Sequence, residues 1–302
     1  MNNLSSSTWW SVQRRAAPYV FVAPFLILFA TFTVYPLTQS IMLAFRATNG
    51  PKSSVFVGLS NFIFLIRDQD FWTAVKNTAI YAFFSVFLQL PLSLGLALLL
   101  NTRWVRGRTL FRLAFFSPYL LGPVFVAVMF TVIFLPRFGL FNRALYAVIR
   151  RGLDTKWLLD AHLVMPALII AALWMYVGFN MIYFLAALQT VDRELYEAAE
   201  VDGANRWHQF LHVTVPGIRP VAVFVVLMST IGSFQLFELP FVLLGGPGPN
   251  NSGLTIVMYL FQTGFWIGNL GYASAIGWAL VFIIFTMSLI QTRVTGMWRQ
   301  ET

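Results

Sequence analysis

The chain alternates between long apolar runs and short polar connections. A helix needs about 20 predominantly apolar residues to cross the hydrocarbon core of a bilayer. Six runs reach that length: residues 17–45, 73–100, 110–134, 162–188, 221–244 and 271–291. The pattern therefore predicts an all-α membrane protein with six transmembrane helices.

Two apolar runs are too short to span a membrane, residues 142–149 and 254–267. The second predicts a helix in or near the membrane interface, or one packed on the outer face. Several prolines fall inside the first three predicted spans: Pro24, Pro36, Pro91, Pro118 and Pro123. Membrane helices tolerate proline where neighbouring helices, hydroxyl side chains or water satisfy the freed backbone groups.

Composition supports a membrane protein over a soluble one. Hydrophobic residues make up 58% of the chain and charged residues 10%, with a mean hydropathy of +0.73. A soluble domain carries about a quarter charged residues. The net charge of +9 is explained by basic residues that flank apolar segments, so nucleic acid is not expected as a partner. The absence of cysteine excludes disulfides and thiolate metal sites.

Short loops rich in arginine lie on the cytoplasmic side of a membrane. The tightest cluster lies between the second and third predicted spans and comprises Arg103, Arg106, Arg108 and Arg112. It predicts that both termini are cytoplasmic. The expected organisation is a cytoplasmic segment at residues 1–16, one transmembrane domain at 17–291 and a cytoplasmic tail at 292–302.

The connection between the fourth and fifth predicted spans, about residues 190–218, has a pattern of its own. Apolar residues recur at helical spacing on either side of a predicted Asp202-Gly203 turn, namely Val191, Leu195, Ala198 and Ala199 before it and Trp207, Phe210 and Leu211 after it. Two short amphipathic helices are therefore expected, closed by Pro216 and Pro220. They form either a surface lid or a docking element for a partner.

This connection also carries a specific motif. Glu197-Ala198-Ala199 followed by Asp202-Gly203-Ala204 resembles the EAA loop of ABC importer permeases, in the carbohydrate-uptake branch of the maltose and glycerol-phosphate transporter type. The resemblance implies a type I importer permease fold in which these residues form cytoplasmic coupling helices that bind an ATPase. Asp192 stands where that family often has proline, and we expect it to loosen the entry to the first short helix.

Shorter motifs follow the order found in the same family. They are Asn61-Phe62, Asn77-Thr78, residues 96–101, Phe111-Arg112 with Pro118, Gly245-Gly246-Pro247 and residues 271–275.

The resemblance also implies partners. A phosphate-binding loop needs a lysine that follows glycine, but Lys52, Lys76 and Lys156 do not. The chain is therefore expected to be neither an enzyme nor the carrier of a cofactor, with ATP and magnesium on two separate ATPase subunits. The family further implies a second homologous permease, an extracytoplasmic solute-binding protein and a location in the bacterial or archaeal cell membrane.

A sugar-like solute needs directed hydrogen bonds and aromatic faces. Candidates within the predicted spans are Trp174, Asn180, Tyr183, Gln235 and Glu238. Glu238 is expected about 26 Å along the fifth predicted span, near its outer end. An ionisable residue inside a span indicates a functional site, although each of these polar groups has the alternative of bonding a neighbouring helix.

Alternative functions also remain open. An ion-coupled secondary transporter would need intramembrane charge, for which Glu238 is thin support, and a membrane-embedded enzyme would need a catalytic or metal cluster that the sequence does not indicate. His208 and His212 have a zinc-ligating spacing but no evident third ligand, so no metal is expected. Basic residues on the predicted outer side hint at an anionic substrate, and contacts with lipid or a binding protein explain them equally well.

Overall fold

The computed structural model describes residues 5–48, 54–102, 105–150 and 152–295, with side chains from Arg15 onward. Arg103 of the predicted basic cluster and the outermost parts of both predicted terminal segments lie outside these ranges. The chain divides into two compact units. One comprises Met1–Leu65 with Thr263–Trp278, and the other comprises Ile66–Gln262 with Ala279–Thr302.

Helices dominate the described residues. The α-helices are α1 (Ser5–Phe29), α2 (Tyr35–Ala44), α3 (Ser60–Arg67), α4 (Gln69–Phe84), α5 (Leu90–Asn101), α6 (Arg108–Leu120), α7 (Gly122–Ile133), α8 (Leu140–Ile149), α9 (Ala161–Thr190), α10 (Arg193–Val201), α11 (Arg206–Gln209), α12 (Val215–Phe234), α13 (Glu238–Leu244), α14 (Ile256–Phe261) and α15 (Leu270–Thr295). Two short strands between α2 and α3, β1 (Arg46–Thr48) and β2 (Ser54–Phe56), pair antiparallel with Arg46 opposite Phe56.

Several helices join end to end into longer runs. Within the described residues, the runs long and apolar enough to cross a membrane are Arg15–Ala44, Gln69–Asn101, Ala161–Thr190, Arg206–Phe234 and Leu270–Thr295. The bent pair α6 and α7 makes a sixth if it counts as one span. The predicted all-α membrane fold is confirmed.

Three prolines inside these runs occupy the same local structure. Pro36, Pro91 and Pro216 each lie in the first turn of an α-helix, and a five-residue π-helical turn comes directly before that helix. Proline has no N–H and its ring clashes with the carbonyl four residues earlier. The wider π turn changes the hydrogen-bond pattern where that clash would fall. The helices therefore continue through these prolines.

The third predicted span is bent and not straight. Residues 110–134 were expected to form one helix, but α6 and α7 meet at an angle of 94°. Gly122 has a φ of +77° at the bend, and Pro123 follows it in the first turn of α7. A left-handed glycine followed by proline redirects the chain, which apolar continuity along the sequence does not reveal.

The prediction for the fifth span was wrong at its C-terminal end. Residues 221–244 were expected as one helix, whereas α12 ends at Phe234 and α13 starts at Glu238. In a continuous helix, residue 240 would donate to the carbonyl of Leu236, but Pro240 has no N–H. The Leu236 carbonyl instead accepts a 2.8 Å hydrogen bond from the Thr255 hydroxyl. The break is therefore satisfied by a partner distant in sequence.

Within the first unit, a small network surrounds the hairpin. The Asn61 side chain donates to the carbonyl oxygens of Ala44 and Arg46, both at 2.9 Å. The Gly271 amide donates to the Thr48 hydroxyl at 2.8 Å, and a Cβ on Gly271 would lie 1.9 Å from the Arg46 carbonyl oxygen. Asn61 and Gly271 of the family-like motifs therefore have structural roles here.

Within the second unit, α9 lies at the centre of two apolar clusters. Its first half packs with α7 and α13 around Phe130, Leu168 and Leu239. Its second half packs with α5 and α12 around Met181 and Ile218. These contacts fix the rotation of α9, and with it the position of Asn180, relative to the neighbouring helices.

The two short apolar runs also form helices. Residues 142–149 fall in α8, and residues 254–267 contain α14 followed by a π-helical turn, Gln262–Trp266. The start of α14 is held by α4. The Asn77 side chain donates to the carbonyls of Asn251 and Leu254, at 2.8 and 3.0 Å, and the Thr78 hydroxyl accepts from the Ile256 amide.

Candidate functional site

A cavity of about 270 Å³ lies in the second unit, between α4, α9, α12 and the breaks that follow α6 and α12. Neutral polar groups line it: Ser85, Gln89, Asn180, Ser229, Ser233 and Gln235. Glu238 adds a carboxylate. Its aromatic lining comprises Tyr81, Tyr119, Tyr176, Phe179, Tyr183 and Phe224.

The aromatic rings form a connected wall. Tyr119 stacks on Phe179 with the ring centroids 3.9 Å apart, and it also contacts Tyr176 at 6.0 Å. Tyr183 meets the edge of Phe179 at 5.3 Å and lies 6.1 Å from Phe224. A wall of aromatic faces beside hydrogen-bonding side chains suits a ligand that has both apolar and polar faces.

The structure brings together most of the candidates from the sequence. Asn180, Tyr183, Gln235 and Glu238 line the cavity, and Asn180 is buried at 5% exposure. Trp174 is not among the lining residues; it is 41% exposed, and its ring meets the edge of Phe130 at 5.7 Å. A binding role for the four lining residues stays a prediction.

The break between α12 and α13 positions two of these residues. Gln235 follows the last residue of α12, and its backbone N–H donates to the carbonyl oxygens of Ile231 and Gly232. Glu238 is the first residue of α13. Both side chains are exposed at the cavity, whereas Leu236 and Leu239 are buried. The break therefore directs these two polar side chains into the cavity, which a straight helix would not do.

Sequence reasoning missed several lining residues. Ser85 and Gln89 are buried polar residues in the π-helical turn between α4 and α5, and both fall within the second predicted span. The signal was a pair of polar residues, four apart, inside an apolar run. Tyr119 and Tyr176 lie inside the predicted spans 110–134 and 162–188, and the sequence does not indicate which face of its helix either tyrosine occupies.

The motif-bearing connection forms a capped helix and a tight turn. The Asp192 side chain accepts a 3.1 Å hydrogen bond from the Glu194 amide and so caps α10. The expectation that Asp192 loosens this entry was wrong, because aspartate is a favoured N-cap. At the other end, Gly203 has a φ of +78°, and the Ala204 amide bonds the Ala199 carbonyl at 2.9 Å.

The second expected helix is not a separate element. α11 passes through a π-helical turn, Phe210–Thr214, directly into α12, which makes one continuous run from Arg206 to Phe234. Pro216 and Pro220 therefore lie within a helix and do not end one. The Asn205 side chain caps its start by accepting from the His208 amide at 2.9 Å.

Large apolar side chains are exposed on this connection. Leu195, Val201 and Trp207 are 55%, 88% and 63% exposed. Glu197 pairs with Arg193 at 3.0 Å, with both side chains more than half exposed, so the pair adds little stability. We call Leu195, Glu197, Val201, Gly203 and Trp207 the docking surface.

The histidine pair lies at this end of the long run. His208 and His212 stack with ring centroids 6.0 Å apart, and the Nδ1 atoms contact the Asn205 side-chain oxygen and the His208 carbonyl, respectively. In the described part of the chain, no group of three His, Cys, Asp or Glu side chains is arranged to hold a metal ion.

A second, more open hollow lies between the α8–α9 connection and Pro249-Asn250. Beside it, Asp154 forms an ion pair with Arg137. The hydrogen bond and the charge of Asp154 raise the pKa of the Arg137 guanidinium above its ordinary value. Both side chains are exposed, so the pair shapes the rim of this hollow without contributing much stability.

Comparison with protein families gives one match, which covers residues 89–297. The family is described as the binding-protein-dependent transport system inner membrane component. The matched segment contains the cavity residues of α9 and α12 and the whole docking surface.

Curated relatives extend the similarity to nearly the full chain. The arabinooligosaccharides transport system permease protein AraP of Bacillus subtilis (strain 168) is 38% identical over 95% of this chain and 91% of its own length. The lactose transport system permease protein LacF of Rhizobium radiobacter is 34% identical, over 90% and 92%. The sn-glycerol-3-phosphate transport system permease protein UgpA of Brucella abortus biovar 1 (strain 9-941) is 32% identical, over 91% and 93%.

A solved structure shares the fold. The crystal structure of a bacterial ABC transporter involved in the import of the acidic polysaccharide alginate has a chain that superposes with a TM-score of 0.84. The superposition covers 96% of this chain and 99% of that chain, at 24% identity.

Proposed function

The chain belongs to the family of binding-protein-dependent transport system inner membrane components, and from this premise we propose that it forms half of the translocation pathway for a sugar or sugar-like solute. It is the permease subunit of an ABC importer, in agreement with the resemblance seen in its sequence. The alternative of an ion-coupled secondary transporter finds no support in its relatives.

The observation that carries the substrate assignment is the cavity. Its amide and hydroxyl groups offer both hydrogen-bond donors and acceptors, and its aromatic wall offers flat apolar faces. Saccharides present the same two surfaces, hydroxyl edges and C–H faces. The names of the arabinooligosaccharide and lactose permeases support the same substrate class.

We propose that the docking surface binds an ATPase subunit. Exposed large apolar side chains beside a defined turn favour burial against a partner. A separate ATPase dimer supplies ATP hydrolysis and carries ATP and magnesium, so this chain acts without a cofactor of its own. A second homologous permease completes the pathway, and a solute-binding protein delivers the substrate on the outer side.

The proposed topology places both termini and the docking surface in the cytoplasm of a bacterial or archaeal cell. Two basic residues support this orientation, Arg106 just before α6 and Arg108 at its start. The cavity then opens toward the pathway between the two permeases.

Purification of the tagged chain from native membranes tests the assembly. We expect an ATPase and a second permease to copurify, and we expect the ATPase to be lost from a Glu197→Ala, Gly203→Val variant. Glu200→Ala is the control, because it removes an exposed carboxylate from the same helix outside the motif. Purification of the chain alone, under conditions that preserve other membrane complexes, would contradict the assembly.

Vesicles reconstituted with the complex test the energy source. We expect saccharide uptake to require internal ATP and to persist when ion gradients are collapsed. Uptake that follows an ion gradient and ignores ATP would contradict the proposal.

A further inference from the structure

The charge of the cavity is opposite to the charge of the chain. The chain has 20 Lys and Arg residues against 11 Asp and Glu, which gives a net charge of +9. Among the described residues that line the cavity, however, Glu238 is the only one that carries a formal charge. The site proposed to hold the solute is therefore negative within a basic protein.

Within the described residues, the Glu238 carboxylate has no hydrogen bond or ion pair. The ion pairs found there are Arg137 with Asp154 and Arg193 with Glu197. Glu238 is exposed at the cavity, and the polar side chain three residues before it is the neutral Gln235. A charged group at membrane depth is costly unless it faces water or a partner group. The free carboxylate therefore acts on whatever enters the cavity.

We propose that Glu238 makes the cavity select against anionic saccharides, so that the transported solute is a neutral or cationic saccharide. This inference rests on the proposed function, because it assumes that the solute passes through the cavity. It names the charge class of the substrate. The basic residues on the predicted outer side had left that class open, although they hinted at an anion.

The physical argument has an attractive and a repulsive part. A carboxylate only accepts hydrogen bonds, and the hydroxyl groups of a neutral sugar donate them. Hydrogen bonds to a charged acceptor are also stronger than neutral ones. A second carboxylate or a phosphate brought about 7 Å from Glu238 in a partly hydrated site is disfavoured about tenfold by charge repulsion alone. Among the described residues of this chain, the lining offers no lysine, arginine or histidine to offset this.

Two matched probes isolate the charge. Cellobiose is neutral, and cellobiouronate is the same disaccharide with the C6 alcohol of one ring oxidised to a carboxylate. Binding of each radiolabelled probe is measured on the intact complex of permeases and ATPases without the solute-binding protein, so selection by that protein does not contribute. Chitobiose, which is cationic at mildly acidic pH, extends the charge series.

The wild-type complex is expected to bind cellobiose about tenfold more tightly than cellobiouronate, and chitobiose at least as tightly as cellobiose. Glu238→Gln, which keeps the shape of the side chain, is expected to bring the ratio of cellobiose to cellobiouronate affinity close to one. Glu238→Lys is expected to invert it. Asp160→Asn is the matched control. It removes a carboxylate outside the cavity and keeps a side chain able to cap α9, so the ratio should not change.

Two results would overturn this proposal: equal or tighter binding of cellobiouronate by the wild type, or an unchanged affinity ratio in Glu238→Gln. If ATP-dependent saccharide uptake persists in that case, the proposed function still stands. Binding of no probe, together with the absence of ATP-dependent saccharide uptake, would overturn the proposed function and this inference with it.

Discussion

Gly178 packs directly against the backbone carbonyl of Phe115. A Cβ atom on Gly178 would lie 1.7 Å from the Phe115 oxygen and 2.3 Å from its carbonyl carbon. Both neighbours are backbone atoms of α6, so a side-chain rotation cannot relieve the contact. Asn180 and Phe179 follow at once on α9, and this close crossing therefore fixes where the cavity wall stands.

We expect Gly178→Ala to force α6 and α9 apart and to lower the free energy of unfolding by at least about 2 kcal/mol. The readout is thermal unfolding of the purified protein in mild detergent. Gly95→Ala is the control, because Gly95 also lies within a helix but a Cβ there meets nothing within 4 Å. Equal effects of the two substitutions would contradict the role of the crossing.

The hydroxyl of Thr255 supports the break between α12 and α13. Thr255→Val leaves the buried Leu236 carbonyl without its hydrogen bond, and we expect a loss of about 1 kcal/mol in stability. Substrate-dependent transport should also fall, since Gln235 and Glu238 lie at this break. Thr286→Val serves as the control because Thr286 is exposed and bonds only within its own helix. Matching losses in both variants would argue against a special role for Thr255.

Asp192 has a backbone conformation that proline also adopts, with φ of −63° and ψ of 133°. The preceding residue, Val191, is extended as well, with φ of −71° and ψ of 125°, as a residue before proline requires. Asp192→Pro should therefore retain assembly with the ATPase. Asp192→Ala should destabilise α10 by about 1 kcal/mol, detected as faster amide hydrogen exchange in that helix, and Asp192→Asn should restore protection. Loss of assembly in Asp192→Pro would show that the side-chain cap is essential.

Asn180 and Trp174, two of the candidates on α9, predict different outcomes. Asn180 is buried and lines the cavity, whereas Trp174 is not among the lining residues. We expect Asn180→Leu to raise the half-saturating solute concentration up to about tenfold, which corresponds to one lost hydrogen bond. Trp174→Leu should leave it unchanged. The measurement is initial uptake rate against solute concentration, and an effect of Trp174→Leu equal to that of Asn180→Leu would remove the cavity from the transport path.

The sequence predicts the elements whose signal is local. α9 and α15 follow the predicted runs 162–188 and 271–291 closely, because each is a long apolar helix and its pattern is sufficient. The bend at Gly122 and the break between α12 and α13 were missed, although each is followed by a proline, Pro123 and Pro240. Pro36, Pro91 and Pro216 instead lie beside π-helical turns in continuous runs, so proline alone does not distinguish a break from a π-helical turn.

The lining of the cavity shows the same contrast between local sequence signals and features that depend on packing. Asn180 and Gln235, chosen as polar residues in apolar runs, both line the cavity, and their role in binding stays a prediction. Trp174 was included for its aromatic ring, yet the sequence does not say which face of α9 it occupies. That face depends on packing against Phe130, which is a contact between two helices distant in the chain.

The helical run from Arg206 to Phe234 has 29 residues and is about 43 Å long. It starts at the docking surface beside Trp207, and its last turns, from Phe224 to Ser233, line the cavity. Such a rod is a lever, because a tilt of about 5° imposed at one end displaces the other by about 4 Å. If the docking surface binds the ATPase as proposed, a small rotation of that subunit would therefore displace the residues that line the cavity.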